Sequence, residues 1–353
     1  MNHAHTQNPH LSRSHALTLS RSYVLTLLQC PGKWLVNQEE LINISNSQMK
    51  ILITGGAGYI GYSVVKQLLK DVDQVHSITI YDNLSRRNFS FFTEATFDHK
   101  PVKMIQGDIL DGRSLQQALE GIDCVVHLAA RVTTPFADAD AHSFDQVNHW
   151  GTAQLAYAIE KSNVSTVIYM SSISIYGSNE QPVDETMTPN PQSFYGRSKW
   201  DGERQINVLN RDRKVFVLRS GNVYGYNPSY RIDAVVNRFL FQANFLGKIT
   251  INGSGDQHRS FIHVDKVGSA VAKVVDGFIE PGTYNLVEHN FSINDIASKI
   301  QALYPRLDII HANYNIRMKD VITATPCRIW SKVPLAPISF QDELSDFKSH
   351  FSF

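Results

Sequence analysis

Tyr195 and Lys199 stand four residues apart in FYGRSKW, a spacing that on a helix puts phenol and ammonium on one face. Such a pair is usually a solvated surface, so its meaning depends on what the chain brings to it. The segment TVIYMSSISIYG ends an apolar run with Ser171, Ser172 and Ser174. A free phenol has a pKa of about 10, and a neighbouring cation favours the phenolate. Tyr195 is therefore a candidate base near neutral pH, with Ser172 a candidate to hold the substrate oxygen. Together the three side chains would make a proton-transfer site for oxidising an alcohol to a ketone.

That chemistry needs a hydride acceptor, and TGGAGYIG supplies a place for one. Gly55, Gly58 and Gly61 lie between an apolar run and a helical pattern. Glycine there lets the backbone turn sharply and approach a pyrophosphate, whose charge the following helix N-terminus stabilises. Asp82 ends the next apolar run, SITIYD, where a carboxylate accepts bonds from the adenosine ribose and repels a 2′-phosphate. NAD is expected over NADP. Arg86 and Arg87 weigh the other way, because a guanidinium so placed can pair with a phosphate.

The elements that must position these residues are legible as alternation. Apolar runs in KILIT, SITIYD, VKMIQGD, CVVHLAA, TVIYMSS and VFVLRSG are interleaved with helical stretches such as SLQQALEG and TAQLAYAIEKS. This predicts an α/β fold, a doubly wound parallel (Rossmann) sheet, with ligands at the carboxyl ends of its strands. After about residue 222 the alternation is lost, and a helix is expected over Ile232–Leu246. The reading is a dinucleotide-binding domain over 49–222, with 264–287 returning to it. A smaller α/β substrate-binding lobe is expected from 223–263 and 288–353. Residues 1–48 hold no Asp or Glu before Glu39 and precede the first core strand, and are read as a disordered extension or an overcalled start.

The 353 residues carry 33 Lys+Arg against 33 Asp+Glu, so no net field favours nucleic acid or an anionic membrane. The apolar run YVLTLLQC is too short to span a bilayer. Cys30, Cys124 and Cys327 have no paired spacing, which suits a reducing compartment and predicts neither disulfides nor a zinc motif. The tail histidines His3, His5, His10 and His15 have no cysteine or carboxylate company, and no metal site is expected.

In order along the chain, TGGAGYIG, YDN, GDI, HLAA, SSISIYG, YGRSK and RSFIHVD resemble the extended short-chain dehydrogenase/reductase superfamily. The resemblance runs from about Lys50 to Leu286 and is strongest to the NAD-dependent epimerase/dehydratase branch, UDP-glucose 4-epimerases in particular. It implies that Gly55, Gly58, Tyr59 and Ile60 form the pyrophosphate turn, that Asp82 and Asn83 meet the adenosine ribose, and that Asp108 and Ile109 meet the adenine. It also puts Leu128, Ala129 and Ala130 along the cofactor and has Asn148 support the active site. Ser172, Tyr195 and Lys199 match the catalytic triad, with Lys199 also bonding the nicotinamide ribose. Asn222 and Arg259 match positions that hold a nucleotide-sugar diphosphate. Arg317 is a second such clamp in a weakly matching context, IRMKD.

Two departures narrow the reaction. Dehydratases of this branch carry an Asp-Glu pair after the serine and decarboxylases a glutamate, whereas this chain has Ile173 and Ser174. The C-terminal region is short and unusual, which bears on the sugar pocket. The resulting expectation is a cytoplasmic, homodimeric, NAD-dependent nucleotide-sugar epimerase, with UDP-sugars favoured. It would act by transient oxidation and hydride return. The alternatives are a one-way dehydrogenase or reductase of a sugar, steroid or other alcohol, and a non-catalytic NAD-sensing scaffold.

Overall fold

In strand β1 (Met49–Thr54), Ile51, Leu52 and Ile53 have no exposed surface. Successive strand side chains point to opposite faces, so Ile51 and Ile53 enter one hydrophobic cluster and Leu52 another. Both faces of the sheet are therefore covered, as a parallel sheet requires. Each fully buried aliphatic side chain contributes about 1.5–3 kcal/mol. The computed structural model describes residues 49–89, 102–132, 140–179, 181–312, 320–335 and 337–351. The expectations for residues 1–48 and for Arg317 lie outside them.

The chain continues through α1 (Tyr59–Asp71), β2 (Val75–Asp82), β3 (Val102–Gln106), α2 (Gly112–Ala118) and β4 (Cys124–His127). A helical stretch follows, made of α3 (Ala141–Phe144), a π-helical segment (Asp145–Trp150) and α4 (Gly151–Glu160). Then come β5 (Thr166–Ser172), α5 (Phe194–Asn207) and β6 (Lys214–Ser220). With a later strand, β10, these form a seven-stranded sheet in the order β10-β6-β5-β4-β1-β2-β3. Every pairing in it is parallel. Strand order reverses beside β1, the point where such sheets open a crevice at their carboxyl ends.

Beyond β6 the chain leaves this sheet, forming β7 (Asn222–Tyr224), α6 (Val235–Leu246), β8 (Lys248–Asn252) and β9 (His258–His263). It returns with α7 (Val264–Val275), whose Val267, Ala270, Val271 and Val274 pack into the same cluster as Val64, Val65 and Leu68 of α1. Strand β10 (Gly282–Leu286) then closes the large sheet against β6. The chain departs again through β11 (His289–Ser292), α8 (Ile293–Gln301), β12 (Asp308–Ala312) and α9 (Phe340–Ser349). These elements make a three-stranded sheet, β11-β9-β7, and a parallel pair, β12-β8. A separate core built on Tyr224, Phe239, Leu240, Phe261, Ile296, Leu344 and Phe347 holds this smaller lobe together.

Helix α6 begins at Val235, later than the expected Ile232. Arg231 donates Nε and Nη2 to the two carboxylate oxygens of Asp233, both at 3.0 Å, and Asn237 donates to the Arg231 carbonyl at 3.0 Å. These local side-chain bonds offer the backbone a turn in place of another helical turn. The ammonium of Lys266, at the start of α7, bridges Glu288 Oε1 at 2.5 Å and Glu343 Oε1 at 2.6 Å. Tyr224 donates to the other Glu343 oxygen. This enclosed network fastens α9 to the rest of the chain, and in it the ammonium takes the place that a metal cation would fill between the carboxylates.

Candidate active site

One cleft of about 1260 Å³ opens at the carboxyl ends of the large sheet, between it and the smaller lobe. Its floor starts at the glycine turn. Gly55 has φ +71°, and a Cβ there would stand 2.6 Å from the Ala129 nitrogen, so only glycine lets the turn rest against Leu128–Ala130. Gly58 is the N-cap of α1 and offers no side-chain cap, so the first amides of the helix face the cleft without an internal partner. That is a cradle for a diphosphate anion. Asp82 Oδ2 accepts from Ala57 N at 3.1 Å and Oδ1 from Leu84 N at 2.8 Å. The carboxylate thus sits at the junction of the turn and the β2 end, and partial burial raises its pKa. These residues fit a dinucleotide.

Of the expected cofactor residues, Gly55, Gly58, Tyr59, Ile60, Asp82, Asn83, Ile109, Leu128, Ala129 and Ala130 line this cleft. Tyr59 also has a second task, because its hydroxyl donates to the Gly225 carbonyl of the other lobe at 2.6 Å. Asp108 is exposed and does not line the cleft. It accepts from Asn83 Nδ2 at 3.1 Å and from Leu110 N at 2.9 Å, fixing the loop that carries Ile109. Arg86, a possible phosphate partner on sequence grounds, reaches across the cleft towards Asp233 at 3.7 Å. Nearby, Asn88 donates to the Ser229 carbonyl at 3.1 Å.

Asn148 is fully buried in the π-helical segment and every polar atom of its side chain is engaged. Its Oδ1 accepts from Arg131 N at 2.7 Å, while Nδ2 donates to the Arg131 carbonyl at 2.9 Å and to Ser198 Oγ at 3.0 Å. It therefore joins the segment after β4 to α5. A π turn widens a helix locally and is frequent at functional sites.

Ser193 caps α5, its hydroxyl accepting from Gly196 N at 3.0 Å. The helix then presents Tyr195 and Lys199 to the cleft, which Ser172 also lines from the end of β5. The Tyr195 ring meets Phe144 edge-on, centroids 5.9 Å apart. Burial raises the Tyr195 pKa above its ordinary value, while the Ser172 hydroxyl, which itself donates to Ser174 Oγ at 3.1 Å, and the charge of Arg231 pull it down. The Lys199 ammonium lies 4.5 Å from the centre of the Tyr169 ring, and burial brings its pKa down to about 7 against the pull of Glu203.

On the opposite wall, Asn222 and Arg259 both reach the cleft. Asn222 Nδ2 donates to the Ser260 carbonyl at 3.1 Å, and Arg259 Nη1 to the His258 carbonyl at 3.0 Å. Several residues that sequence reasoning passed over also belong to the site. Arg131, Arg231 and Asp233 line the cleft. His127 is buried between Thr54 Oγ1 at 2.7 Å and Thr152 Oγ1 at 2.9 Å, with burial and then Lys199 lowering its pKa to about 3. Its signal was a polar residue inside the apolar HLAA strand end. Glu203 is buried one turn beyond Lys199, continuing the 195/199 spacing. Arg231 and Asp233 left no signal, since nothing in their sequence surroundings marks a turn that faces the cleft.

Residues 51–286 match the NAD dependent epimerase/dehydratase family. A dTDP-D-glucose 4,6-dehydratase of Mus musculus is 31% identical over 250 residues, 69% of each chain. A Bacillus subtilis protein described as an uncharacterized UDP-glucose epimerase is 28% identical over 297 residues, 82% of this chain and 90% of its own. Among solved structures, a Bacillus cereus UDP-glucuronic acid 4-epimerase in complex with UDP-glucuronic acid and NAD superposes with a TM-score of 0.74 at 26% identity. That superposition covers 86% of this chain and 98% of the other.

Proposed function

The chain belongs to the NAD-dependent epimerase/dehydratase family, with NAD as its cofactor, and on that premise we propose that it is a nucleotide-sugar epimerase. The observation that carries the reading is the convergence of Ser172, Tyr195 and Lys199 on the cleft that the glycine turn floors. Bound NAD supplies the acceptance and return of a hydride and, when oxidised, a positive charge. Ser172 holds the reacting sugar oxygen, and Tyr195 takes the hydroxyl proton and later gives it back. Because burial holds the Tyr195 phenol above its ordinary range in the free protein, its base form draws on cationic neighbours once the site is filled. Arg259 and Asn222 are assigned to the nucleotide-sugar diphosphate, and residues 223–263 and 288–353 to the substrate-binding lobe.

Elimination of water is the competing reaction, since dTDP-glucose dehydratases are among the relatives. It asks for an acid beyond Tyr195. The residues that follow Ser172 are Ile173 and Ser174, and among the described residues the carboxylates on the cleft wall are already engaged. Asp82 holds two backbone amides, Asp140 caps α3, and Asp233 pairs with Arg231 and Arg86. This supports epimerisation. The relatives' UDP-sugar ligands favour a UDP-sugar here. A homodimer is proposed through the outer faces of the π-helical segment, α4 and α5, where Trp150, Tyr157 and Phe194 are about half exposed. The free, buried Cys124 and Cys327 suit the reducing cytoplasm. Among the described residues no helix is long and apolar enough to cross a membrane.

The test is to purify the protein with its NAD and follow a panel of nucleotide sugars by NMR. Inversion at one ring carbon without net NADH is expected. A dehydrated keto-deoxy product, or NADH accumulating in step with oxidised sugar, would overturn the reading.

A further inference from the structure

Residues 195, 199 and 203 recur at one-turn intervals along α5, so the stripe that carries the candidate base and lysine ends in a carboxylate. Glu203 has no exposed surface. Arg219 of β6 meets it with both ends of its fork, Nε to Oε1 at 3.1 Å and Nη2 to Oε2 at 2.9 Å. The remaining guanidinium nitrogen donates to the Tyr176 hydroxyl at 2.8 Å, which donates to Asn285 Oδ1 at 2.8 Å. The pair is thus pinned from behind by contacts reaching as far as β10. A buried ion pair is seldom more stabilising than well-packed apolar residues of the same shape, so its presence beneath the cleft calls for a role other than stability.

Lys199 supplies that role. It is almost completely buried, and burial is what strips an ammonium of its proton. The groups that face it come from several elements: Tyr195 and Glu203 on its own helix, the Tyr169 ring on β5, His127 on β4, and Arg219 on β6 behind Glu203. Tyr169 offers the face of its ring at 4.5 Å and its hydroxyl donates to the Lys199 carbonyl at 3.3 Å. His127 is held neutral. Glu203 is the group on this side that favours the charged lysine, whereas Arg219 would repel it if left alone.

We propose that Glu203, clamped by Arg219, is a positioning residue that favours the ammonium form of Lys199 in the buried floor of the cleft. This rests on the reading that Ser172, Tyr195 and Lys199 carry the proton chemistry, because a neutral amine offers no charge to a Tyr195 phenolate. The two arginine-facing oxygens of Glu203 are spoken for, so its contribution to Lys199 is electrostatic, and the pair's second member is needed to hold that charge in place.

The experiment titrates Lys199 directly. The full chain is labelled with ¹³C at lysine Cε, Lys199 is assigned with Lys199→Arg, and the resonance is followed against pH with and without NAD. In Glu203→Gln/Arg219→Met both charges go together and no lone ion is left buried. Its Lys199 midpoint is expected to fall by about one unit or more, and Glu203→Asp, which withdraws the charge by one methylene, to give a smaller fall. The deficit in turnover of the double variant should widen as pH rises through its lowered midpoint. A folded double variant with the parent midpoint overturns the proposal, and so does an unchanged midpoint in Glu203→Asp should the double variant not fold. A lowered midpoint in a protein that inverts no nucleotide sugar would instead count against the proposed activity and leave this inference standing.

Discussion

Replacing Gly55 by alanine perturbs the cleft at a single backbone point. At φ +71° an L side chain costs about 1–2 kcal/mol. The new Cβ would also stand 2.6 Å from Ala129 N and 2.7 Å from Ala129 Cα. Those are backbone atoms that cannot rotate aside, and forced overpacking adds about 1–3 kcal/mol. The sum of about 2–5 kcal/mol is a large share of the ~5–15 kcal/mol that holds a typical protein folded. Gly277→Ala separates the two contributions, because Gly277 has φ +82° with nothing within 4 Å of where its Cβ would sit. Urea unfolding should show a loss of about 1–2 kcal/mol for Gly277→Ala and about 1–3 kcal/mol more for Gly55→Ala. Calorimetric NAD titration should show unchanged affinity in the first variant. In the second, affinity should fall about tenfold or more, equivalent to ~1.4 kcal/mol, because Ala129 is pushed from the floor. Equal destabilisation in both variants with NAD affinity intact would refute the argument that the close approach to Ala129 requires this glycine.

Tyr195→Phe should lower turnover by roughly 10²–10⁴-fold while calorimetry still finds NAD bound; residual turnover near the parent rate would remove Tyr195 from its assigned role. His127 is held at about 3 against an ordinary 6.5 by burial. The unfolded chain therefore binds its proton first. The contribution is complete above about pH 6.5 and is lost at about 1.4 kcal/mol per unit as pH falls from there towards 3. Urea midpoints of His127→Asn should be flatter across that window, and a slope equal to the parent's would count against the assignment. Lys266→Met leaves Glu288 and Glu343 facing each other without their cation and should cost about 3–5 kcal/mol. Glu288 is already raised by burial, so the folded variant binds protons more tightly than the unfolded chain. Thermal melts should show it regaining stability as the solution is acidified, and a deficit independent of pH would sink the idea.

The alternation of apolar runs and helical stretches was enough to read the large sheet, because buried parallel strands are near-continuous hydrophobic runs that leave little ambiguity. The helix before residue 246 was read too long because periodicity does not register Arg231 folding back onto Asp233. The glycine turn and the 195/199 pair were legible through local spacing, which is the scale at which chemistry leaves a pattern. Arg231, Asp233 and Arg219 were not, since each acquires its meaning from how the chain folds around it. Asp108 and Asn148 illustrate the converse. Their motifs flagged them, and their side chains turn out to brace the loops carrying Ile109 and Arg131.

Among the described residues, the chain passes between the large sheet and the smaller lobe after β6, at the β9–α7 boundary and between β10 and β11. Residues 327–333 then pack back into the large-sheet core before α9 rejoins the smaller lobe. Neither body is therefore a contiguous stretch that could be excised and expressed alone. Swinging one against the other would mean bending all of these connections together. Arg86 with Asp233 and Asn88 with Ser229 tie the two bodies together further, and a single proteolytic nick at one connection should leave the fragments associated through the others.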